Sequence, residues 1–166
     1  MNKARYATMP SPVGRLLLVG DGEVLSMLHM QDPAEPVAIE DGWTKDESSF
    51  IQARSQLSAY FEGELTRFDL ELRPEGTVFQ KKVWDALLSI PFGRTASYLD
   101  IAVAAGSPRA CRAVGAANSR NPIAIVVPCH RVIGKSGKLV GYSGGLDRKE
   151  KLLSFEAGVL ALAGAL

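Results

Sequence analysis

Short apolar segments alternate with turn residues along the first part of the chain. Three such segments, "ARYATM", "RLLLV" and "VLSMLHM", are separated by "PSPVG" and "GDGE". Brief apolar runs bounded by Pro, Gly and Asp are typical of β-strands. The pattern therefore predicts three strands in this part of the chain, and a further short strand in "TRFDLEL".

A helical period first appears in "SSFIQARSQLSAYFEG". Phe50, Arg54, Leu57 and Phe61 recur at the spacing of one helix face. Serine precedes these positions and Gly63 follows them, which are typical start and stop residues. The segment predicts a helix that a serine caps and that Gly63 ends.

Helical spacing dominates the second half of the chain. The segment "TVFQKKVWDALLSI" begins with Thr77 and Gln80, which match a capping box, and Pro91 is expected to stop the helix. A second helix is predicted in "SYLDIAVAAG", with Ser97 as its cap and Gly106 at its end.

A third helix is predicted in "RACRAVGAAN", with Ser107 as its cap and Pro108 at its first position. Two helices joined by a short turn that contains glycine have the outline of a helix-turn-helix motif. Further on, "IAIVV" is predicted to be extended and "GKSGKLVGYSGG" to be a loop. A last helix is predicted in "DRKEKLLSFEAG", where Asp147 and Glu150 match a capping box.

These elements predict an α+β fold in two parts. Residues 1–76 would form a small N-terminal α+β subdomain that supports the rest. Residues 77–166 would form a mostly helical, winged-helix-like subdomain that contains the helix-turn-helix.

Charge is divided between the two parts in a similar way. Residues 1–77 have 7 Lys/Arg and 13 Asp/Glu, a net charge of −6, and residues 78–166 have 12 Lys/Arg and 5 Asp/Glu, a net charge of +7. A basic half favours a polyanion as partner, although charges on solvated faces would give the same balance.

Few residues are available for disulfide or metal chemistry. Cys111 and Cys129 provide no disulfide framework, and with His29 and His130 they lack the spacing of a zinc site. His29 is expected to be an ordinary packed or surface residue. The apolar runs are too short to span a bilayer, and the N-terminus lacks a signal-peptide core. We expect a cytoplasmic protein with free thiols, no metal, no cofactor and no membrane partner.

The segment "VVPCHRVIG" places Cys129 beside His130. A thiol is a strong nucleophile only as a thiolate, which needs a nearby base or a positive field. Neighbouring side chains of an extended chain point to opposite sides, so a contact between these two would need a turn or a bridging water. A buried structural cysteine is the alternative.

Glu156 is a candidate partner for that histidine. It would lie in the last turn of the final helix, where the helix dipole disfavours a carboxylate. A carboxylate there could fix the tautomer of His130 and support its positive charge. A solvated glutamate is the alternative.

The helix-turn-helix contains arginines among small residues. Small side chains let a helix approach a nucleic-acid backbone, and arginine can reach into a groove. Close packing between helices would use the same small residues. The candidate DNA-binding residues are Arg109, Arg112, Ala113, Gly115 and Arg120.

The segments "NPIAIVVPCHRVIG", "GYSGG" and "RKEKLLSFE" closely resemble the O6-alkylguanine-DNA alkyltransferases, also called methylated-DNA–protein-cysteine methyltransferases. The resemblance is close over residues 77–158 and general before them. It implies a DNA repair protein of the bacterial single-chain type. Such a protein would flip O6-alkylguanine, and in some cases O4-alkylthymine, out of duplex DNA. It would then transfer the alkyl group irreversibly to Cys129, once per molecule.

The resemblance also implies roles for particular residues. His130 would act as a base through a water, with support from Glu156. Asn121 would brace the turn around the site, Tyr98 would protonate the departing guanine, and Arg112 would fill the gap that the flipped base leaves.

The loop before the last helix would bind the flipped base through Tyr142 and Ser143, together with the backbone at Val132. The partner would be double-stranded DNA containing O6-alkylguanine, bound by a monomer, with cooperative binding along DNA left open. The zinc ligands of some family members are missing from the sequence, and the resemblance gives no role to Cys111.

Three other functions fit parts of the pattern. A damage-binding protein of the same fold would lack the acceptor cysteine. A thiol hydrolase or peptidase would turn over and would need an oxyanion hole rather than a helix-turn-helix. A transcription factor would use only the DNA-binding part.

Overall fold

The computed structural model describes residues 3–142 and 144–164. The chain divides into two compact units, one of Met1–Glu75 with Pro122–Ala124, and one of Gly76–Asn121 with Ile125–Leu166. The first unit contains a sheet and one helix, and the second is mostly helical. The predicted α+β class is therefore confirmed.

A sheet with the strand order β3-β2-β1-β4 forms the centre of the described part of the first unit. Strands β1 and β2 pair antiparallel, as do β2 and β3, whereas β4 runs parallel to β1. The three predicted strands are confirmed. The fourth consists of two exposed residues, so no apolar pattern marks it in the sequence. The strands are Arg5–Met9 (β1), Leu16–Gly20 (β2), Leu25–Met30 (β3) and Thr44–Lys45 (β4).

Helix α1, Ile51–Phe61, confirms the predicted helix but not its cap. Phe50 occupies the N-cap position in the left-handed region, with φ at 60°, and no side chain among the described residues caps the helix. Phe50 is 1% exposed, so the start of the helix is anchored by burial of this residue and not by a serine hydroxyl. Gly63 follows the helix with φ at 77°, as its stop position predicts.

The strand predicted in "TRFDLEL" is wrong. Only Leu72 forms a bridge there, with Leu25. The side chain of Gln56 binds both backbone groups of Asp69, with Nε2 2.9 Å from the carbonyl oxygen and Oε1 2.8 Å from the amide nitrogen. These are the groups that a strand ladder would use, so the backbone at Asp69 is held by a side chain of α1, and backbone pairing with Leu25 is confined to the end of the segment.

The second unit begins with two helices whose predicted caps are confirmed, and the cap of the second also completes a capping box that was not predicted. Thr77 and Gln80 cap helix α2, Val78–Leu87, which ends before Pro91. Ser97 and Asp100 cap helix α3, Tyr98–Ala104. Each box satisfies two backbone amides that the first turn of a helix leaves unpaired.

Helix α4, Cys111–Ser119, starts later than predicted. Ser107 and Pro108 belong to a turn closed by the Ala110 amide, which donates to the Ser107 carbonyl at 2.9 Å. Arg109 therefore lies in the turn between α3 and α4 rather than in the recognition helix. The two helices and this turn form the expected helix-turn-helix outline.

The extended segment predicted in "IAIVV" is also wrong. Ile123 makes one bridge with Leu28, and the chain then turns at Ile125, whose φ is 71°. Left-handed backbone is unusual for a β-branched residue, and Ile125 is fully buried. A 3₁₀ turn, Cys129–Arg131, follows directly.

The last part of the chain pairs two short strands and ends in a long helix. Strand β5, Ala96–Ser97, pairs in parallel with β6, Val132–Ile133. Helix α5, Leu146–Gly164, begins before Asp147, so the predicted capping box is wrong. None of the helices in the described ranges has the length and apolarity of a bilayer span.

Candidate active site

Cys129 sits in a tight turn. Its amide donates to the Val127 carbonyl at 2.8 Å, and the Arg131 amide donates to the Pro128 carbonyl at 3.0 Å. A 3₁₀ turn has three residues per turn, so its successive side chains are not forced to opposite sides as in a strand. The turn brings Cys129, His130 and Arg131 into the interior, where they are 4%, 0% and 6% exposed.

Glu156 is fully buried, so a solvated glutamate is wrong. Its Oε2 lies 2.8 Å from His130 Nε2 and 3.0 Å from Arg131 Nη2. Its Oε1 accepts from Arg131 Nε at 2.8 Å and from the Gly93 amide at 3.1 Å. Arg131 Nη1 also donates to the Ile90 carbonyl at 2.7 Å. The buried carboxylate thus has partners on both oxygens, as a buried charge requires.

Glu156 lies well inside helix α5 rather than in its last turn. The helix continues to Gly164, so the carboxylate is not near the negative end of the helix dipole. Its position follows from the helix face that it shares with Lys149 and Leu152, which are also buried. Leu162, near the end of the same helix, is by contrast 74% exposed.

The ionisation of this cluster follows from burial and hydrogen bonding. Burial by itself would raise the pKa of Glu156, but hydrogen bonds from His130 and Arg131 and their charges lower it below its ordinary value. The carboxylate is therefore an acceptor. Burial lowers the pKa of His130, although Glu156 opposes that shift. At neutral pH the imidazole is then neutral, with its proton on Nε2.

The other ring nitrogen of His130 is left as a proton acceptor. Nδ1 is buried and has no hydrogen-bond partner among residues 3–142 and 144–164. A neutral imidazole whose Nε2–H is fixed by a carboxylate presents a basic Nδ1. This is the arrangement of a general base with an orienting partner.

Burial raises the pKa of the Cys129 thiol, and three neighbours oppose that shift. They are hydrogen bonds from the Asn121 and Tyr142 side chains and the positive charge of Lys149. Asn121 Nδ2 also donates to the Val127 carbonyl at 2.8 Å, which holds the turn. The resting thiol is protonated at neutral pH, so attack on a carbon would need a base.

Tyr98 and Tyr142 lie near the same sulfur. The Tyr98 hydroxyl donates to the Val140 carbonyl at 3.2 Å. Burial and the charge of Cys129 raise the pKa of both phenols, so both remain protonated. The Tyr142 hydroxyl is buried, and it interacts with the Cys129 sulfur.

The remaining predicted site residues fall into two groups. Val132 is fully buried, and its amide donates to the Cys129 carbonyl. Ser143 lies outside the described residues. Gly115 faces the Tyr98 ring, where an added Cβ would stand 3.8 Å from Cε1. The other predicted DNA-binding residues are exposed and do not belong to the buried cluster; they are Arg109, Arg112, Ala113 and Arg120.

Two buried basic residues had no predicted role. Arg131 is the second partner of Glu156, and its position next to "PCH" was the only signal. Lys149 is fully buried, and its Nζ donates to the Val140 carbonyl at 2.9 Å. Its spacing of three and seven residues from Leu152 and Glu156 places all three on one helix face, which could have predicted its burial. Among the described residues, no group of three His, Cys, Asp or Glu side chains could hold a metal ion.

Comparisons with known families agree over both units. Residues 78–158 match the family described as "6-O-methylguanine DNA methyltransferase, DNA binding domain". Residues 4–74 match the family described as "6-O-methylguanine DNA methyltransferase, ribonuclease-like domain". The general resemblance of the first part of the chain thus extends to a defined domain.

Individual relatives are similar along nearly their whole length. A methylated-DNA–protein-cysteine methyltransferase of Methanosarcina acetivorans is 54% identical over 91% of this chain and 97% of its own length. One of Mycobacterium leprae is 57% identical over 90% of each chain. The crystal structure of Mycobacterium tuberculosis OGT in complex with DNA has a TM-score of 0.87 at 54% identity, covering 93% of this chain and 94% of that one.

Proposed function

This chain belongs to the family of methylated-DNA–protein-cysteine methyltransferases, and we propose that it repairs duplex DNA by moving the alkyl group of O6-alkylguanine onto Cys129. The observation that supports this most strongly is the buried cluster around the thiol. His130 Nε2 is fixed by Glu156 at 2.8 Å, which leaves Nδ1 as a base inside the site. The chain thus combines a protonated acceptor thiol with a base that can ionise it.

The transfer step balances without a cofactor. His130 removes the thiol proton, through a water, and the Cys129 sulfur attacks the alkyl carbon in line. An S–C bond forms, the bond between that carbon and O6 breaks, and its electron pair stays with the guanine. Tyr98 donates a proton to the guanine and is reprotonated from the imidazolium or from solvent. Glu156 supports the transient positive charge on His130.

The base must leave the DNA stack before this step, because the alkyl carbon lies inside the duplex. Arg112 is exposed on helix α4, and we propose that its side chain fills the gap. The side chains of Tyr142 and Ser143 and the backbone at Val132 would hold the flipped base. Small exposed residues such as Ala113 let the helix approach the backbone closely.

DNA is the proposed partner for two reasons. A relative of 54% identity has been crystallised in complex with DNA. In addition, residues 78–166 have a balance of +7, and the arginines at α4 are exposed. Phosphate contacts from Arg109 and Arg120 would position the helix without selecting a sequence.

Each molecule is proposed to act once. The product is a thioether, and among the described residues around Cys129 no side chain is suited to break a C–S bond. O4-alkylthymine presents a similar alkyl–oxygen bond and is proposed as a second substrate. A free nucleophilic thiol is best kept reduced in the cytoplasm, where we expect the protein to act as a monomer.

The test uses duplex DNA with a labelled methyl group on O6 of one guanine. The wild type and Cys111→Ser should become labelled in a single turnover, whereas Cys129→Ser should bind the duplex but stay unlabelled. A hydroxyl is far less ionised than a thiol near neutral pH, so nucleophilicity is lost while size is nearly kept. One-to-one labelling of Cys129→Ser would overturn the proposal.

A further inference from the structure

Lys149 is an unusual residue for its position. It is fully buried in the first turn of helix α5, where the helix dipole disfavours a cation. No carboxylate of residues 3–142 or 144–164 forms an ion pair with it, and its hydrogen bond is to the Val140 carbonyl. A buried lysine without a counter-ion costs free energy, so stability of the helix does not explain it.

The surroundings of the ammonium group connect it to the reacting atoms. Nζ lies 5.9 Å from the centroid of the Tyr142 ring, and the hydroxyl of that ring interacts with Cys129. The Val140 carbonyl accepts from Lys149 at 2.9 Å and also from Tyr98 at 3.2 Å. One carbonyl thus holds both the lysine and the proposed proton donor.

We propose that Lys149 is a positioning residue for alkyl transfer: its buried ammonium group holds the Val140 carbonyl, which Tyr98 shares, and stabilises the Cys129 thiolate when it forms. The inference rests on the proposed function. When Tyr98 turns its hydroxyl toward the guanine, Lys149 still holds the loop through the same carbonyl. When the thiol ionises, the ammonium group becomes the counter-ion that it otherwise lacks.

The electrostatics agree with this geometry. The charge of Lys149 opposes the burial that raises the pKa of Cys129, and a thiolate in turn favours the protonated lysine. Burial lowers the pKa of Lys149, and its charge also helps to keep His130 neutral. Among the described residues, the titratable and charged groups around the sulfur and the ammonium group are Tyr98, His130, Arg131, Tyr142, Arg148 and Glu156.

Three substitutions separate the tether from the charge. Lys149→Met removes both, Lys149→Gln keeps a donor for the Val140 carbonyl but no charge, and Lys149→Arg keeps both. Lys151→Met is the matched control, since Lys151 is an exposed lysine on the same helix. All are made in a Cys111→Ser background, so that Cys129 is the only thiol.

The first measurement is the ultraviolet absorbance of the thiolate against pH, with the matching Cys129→Ser protein subtracted. This readout needs neither DNA nor alkyl transfer. We expect Lys149→Met and Lys149→Gln to titrate at higher pH, with roughly tenfold less thiolate at a given pH below the midpoint. Lys149→Arg and Lys151→Met should titrate like their parent. Circular dichroism checks folding, and if Lys149→Met does not fold, the Gln and Arg variants still decide the question.

The second measurement is the rate of methyl transfer from alkylated duplex DNA. The neutral variants should transfer roughly tenfold more slowly near neutral pH, and the loss should shrink as pH rises. Unchanged titration in Lys149→Gln, with transfer by the parent intact, would overturn the role of the charge. A shifted titration in a protein whose parent transfers no methyl group would instead overturn the proposed function and leave the effect on the thiol standing.

Discussion

The two units of this protein both contain an arginine–carboxylate pair at nearly the same distance. In the first unit, Arg5 Nη1 lies 2.9 Å from Asp46 Oδ2, and the two side chains are 51% and 25% exposed. In the second unit, Arg131 Nε lies 2.8 Å from Glu156 Oε1, and they are 7% and 0% exposed. The distances are alike, so the pairs differ mainly in how far water reaches the two side chains.

That difference decides what each pair can do. Water stabilises the separated charges of the exposed pair almost as well as the pairing does. The exposed pair therefore adds little to the free energy of unfolding. The buried pair cannot be separated without leaving a charge in the interior. The second unit can therefore hold His130 in one tautomer, whereas the exposed pair of the first unit joins Arg5 to Asp46 without fixing a reactive group. The comparison predicts which substitutions are costly.

The largest effect is expected for Glu156→Gln. It leaves Arg131 without a buried counter-ion and should lower the free energy of unfolding by about 3–5 kcal/mol. Asp46→Asn in the first unit is the matched control and should change stability far less. Urea denaturation of both variants measures the difference. Equal losses in the two variants would mean that burial does not distinguish the pairs.

Tyr98→Phe tests whether the reactive chemistry belongs to the second unit. The ring stays but the proton for the departing guanine is lost, so transfer should slow by about 10²-fold. DNA affinity should be nearly unchanged. Tyr6→Phe in the first unit should alter neither quantity. Single-turnover kinetics and titration of DNA binding give both numbers, and matching losses in rate and affinity would point to a structural tyrosine.

Arg112→Ala tests whether this exposed arginine fills the gap left by the flipped base or only contacts a phosphate. Flipping costs a few kcal/mol in a duplex and much less for a free O6-alkylguanine base. The variant should therefore lose about tenfold in transfer rate on duplex DNA and little on the free base. Arg109→Ala should instead weaken DNA binding and reduce the salt slope by about one unit.

The two substrates and two salt concentrations also expose the alternatives for Arg112. An equal loss on duplex and free base would indicate a disturbed active site. A loss that disappears at saturating duplex would indicate a phosphate contact. Either result would remove Arg112 from base flipping.

The smallest effect is expected for an exposed cap of the second unit. Thr77→Ala removes the hydrogen bond from the Gln80 amide, 3.1 Å long, and should cost about 1 kcal/mol. Ser107→Ala, at the position that resembles a cap but lies in a turn, should cost less. Thermal unfolding of both measures the contrast. If Thr77→Ala lowered the free energy of unfolding as much as Glu156→Gln, solvent exposure would not determine how much a substitution destabilises this unit.

Most helices and strands could be predicted from the sequence because their formation depends on residues close to one another in the chain. The strands β1 to β3 and the capping boxes of α2 and α3 follow from local alternation and from side chains three residues apart. The segment "IAIVV" failed because its backbone conformation is imposed by its surroundings. Ile125 is β-branched and favours extended backbone, yet the buried turn before Cys129 holds it at a φ of 71°.

In the candidate site, too, residue types and motifs could be read from the sequence, whereas features set by tertiary packing could not. Cys129, His130 and Glu156 could be singled out from residue type and family resemblance. The helix position of Glu156 was wrong, because Gly158 was interpreted as the end of the helix. A glycine inside a helix is tolerated at a small cost, and α5 continues to Gly164. Lys149 was missed because a lysine is normally exposed, and only the packing of its helix face shows that it is buried.

The most direct measurement is the intact mass of the wild-type protein after incubation with excess duplex DNA containing O6-methylguanine, followed by peptide mapping. If Cys129 is the acceptor, each chain gains one methyl group, the reaction then stops, and the added mass lies on the peptide that contains Cys129. Continued turnover, more than one methyl group per chain, or a methyl group on Cys111 would contradict the single buried nucleophile.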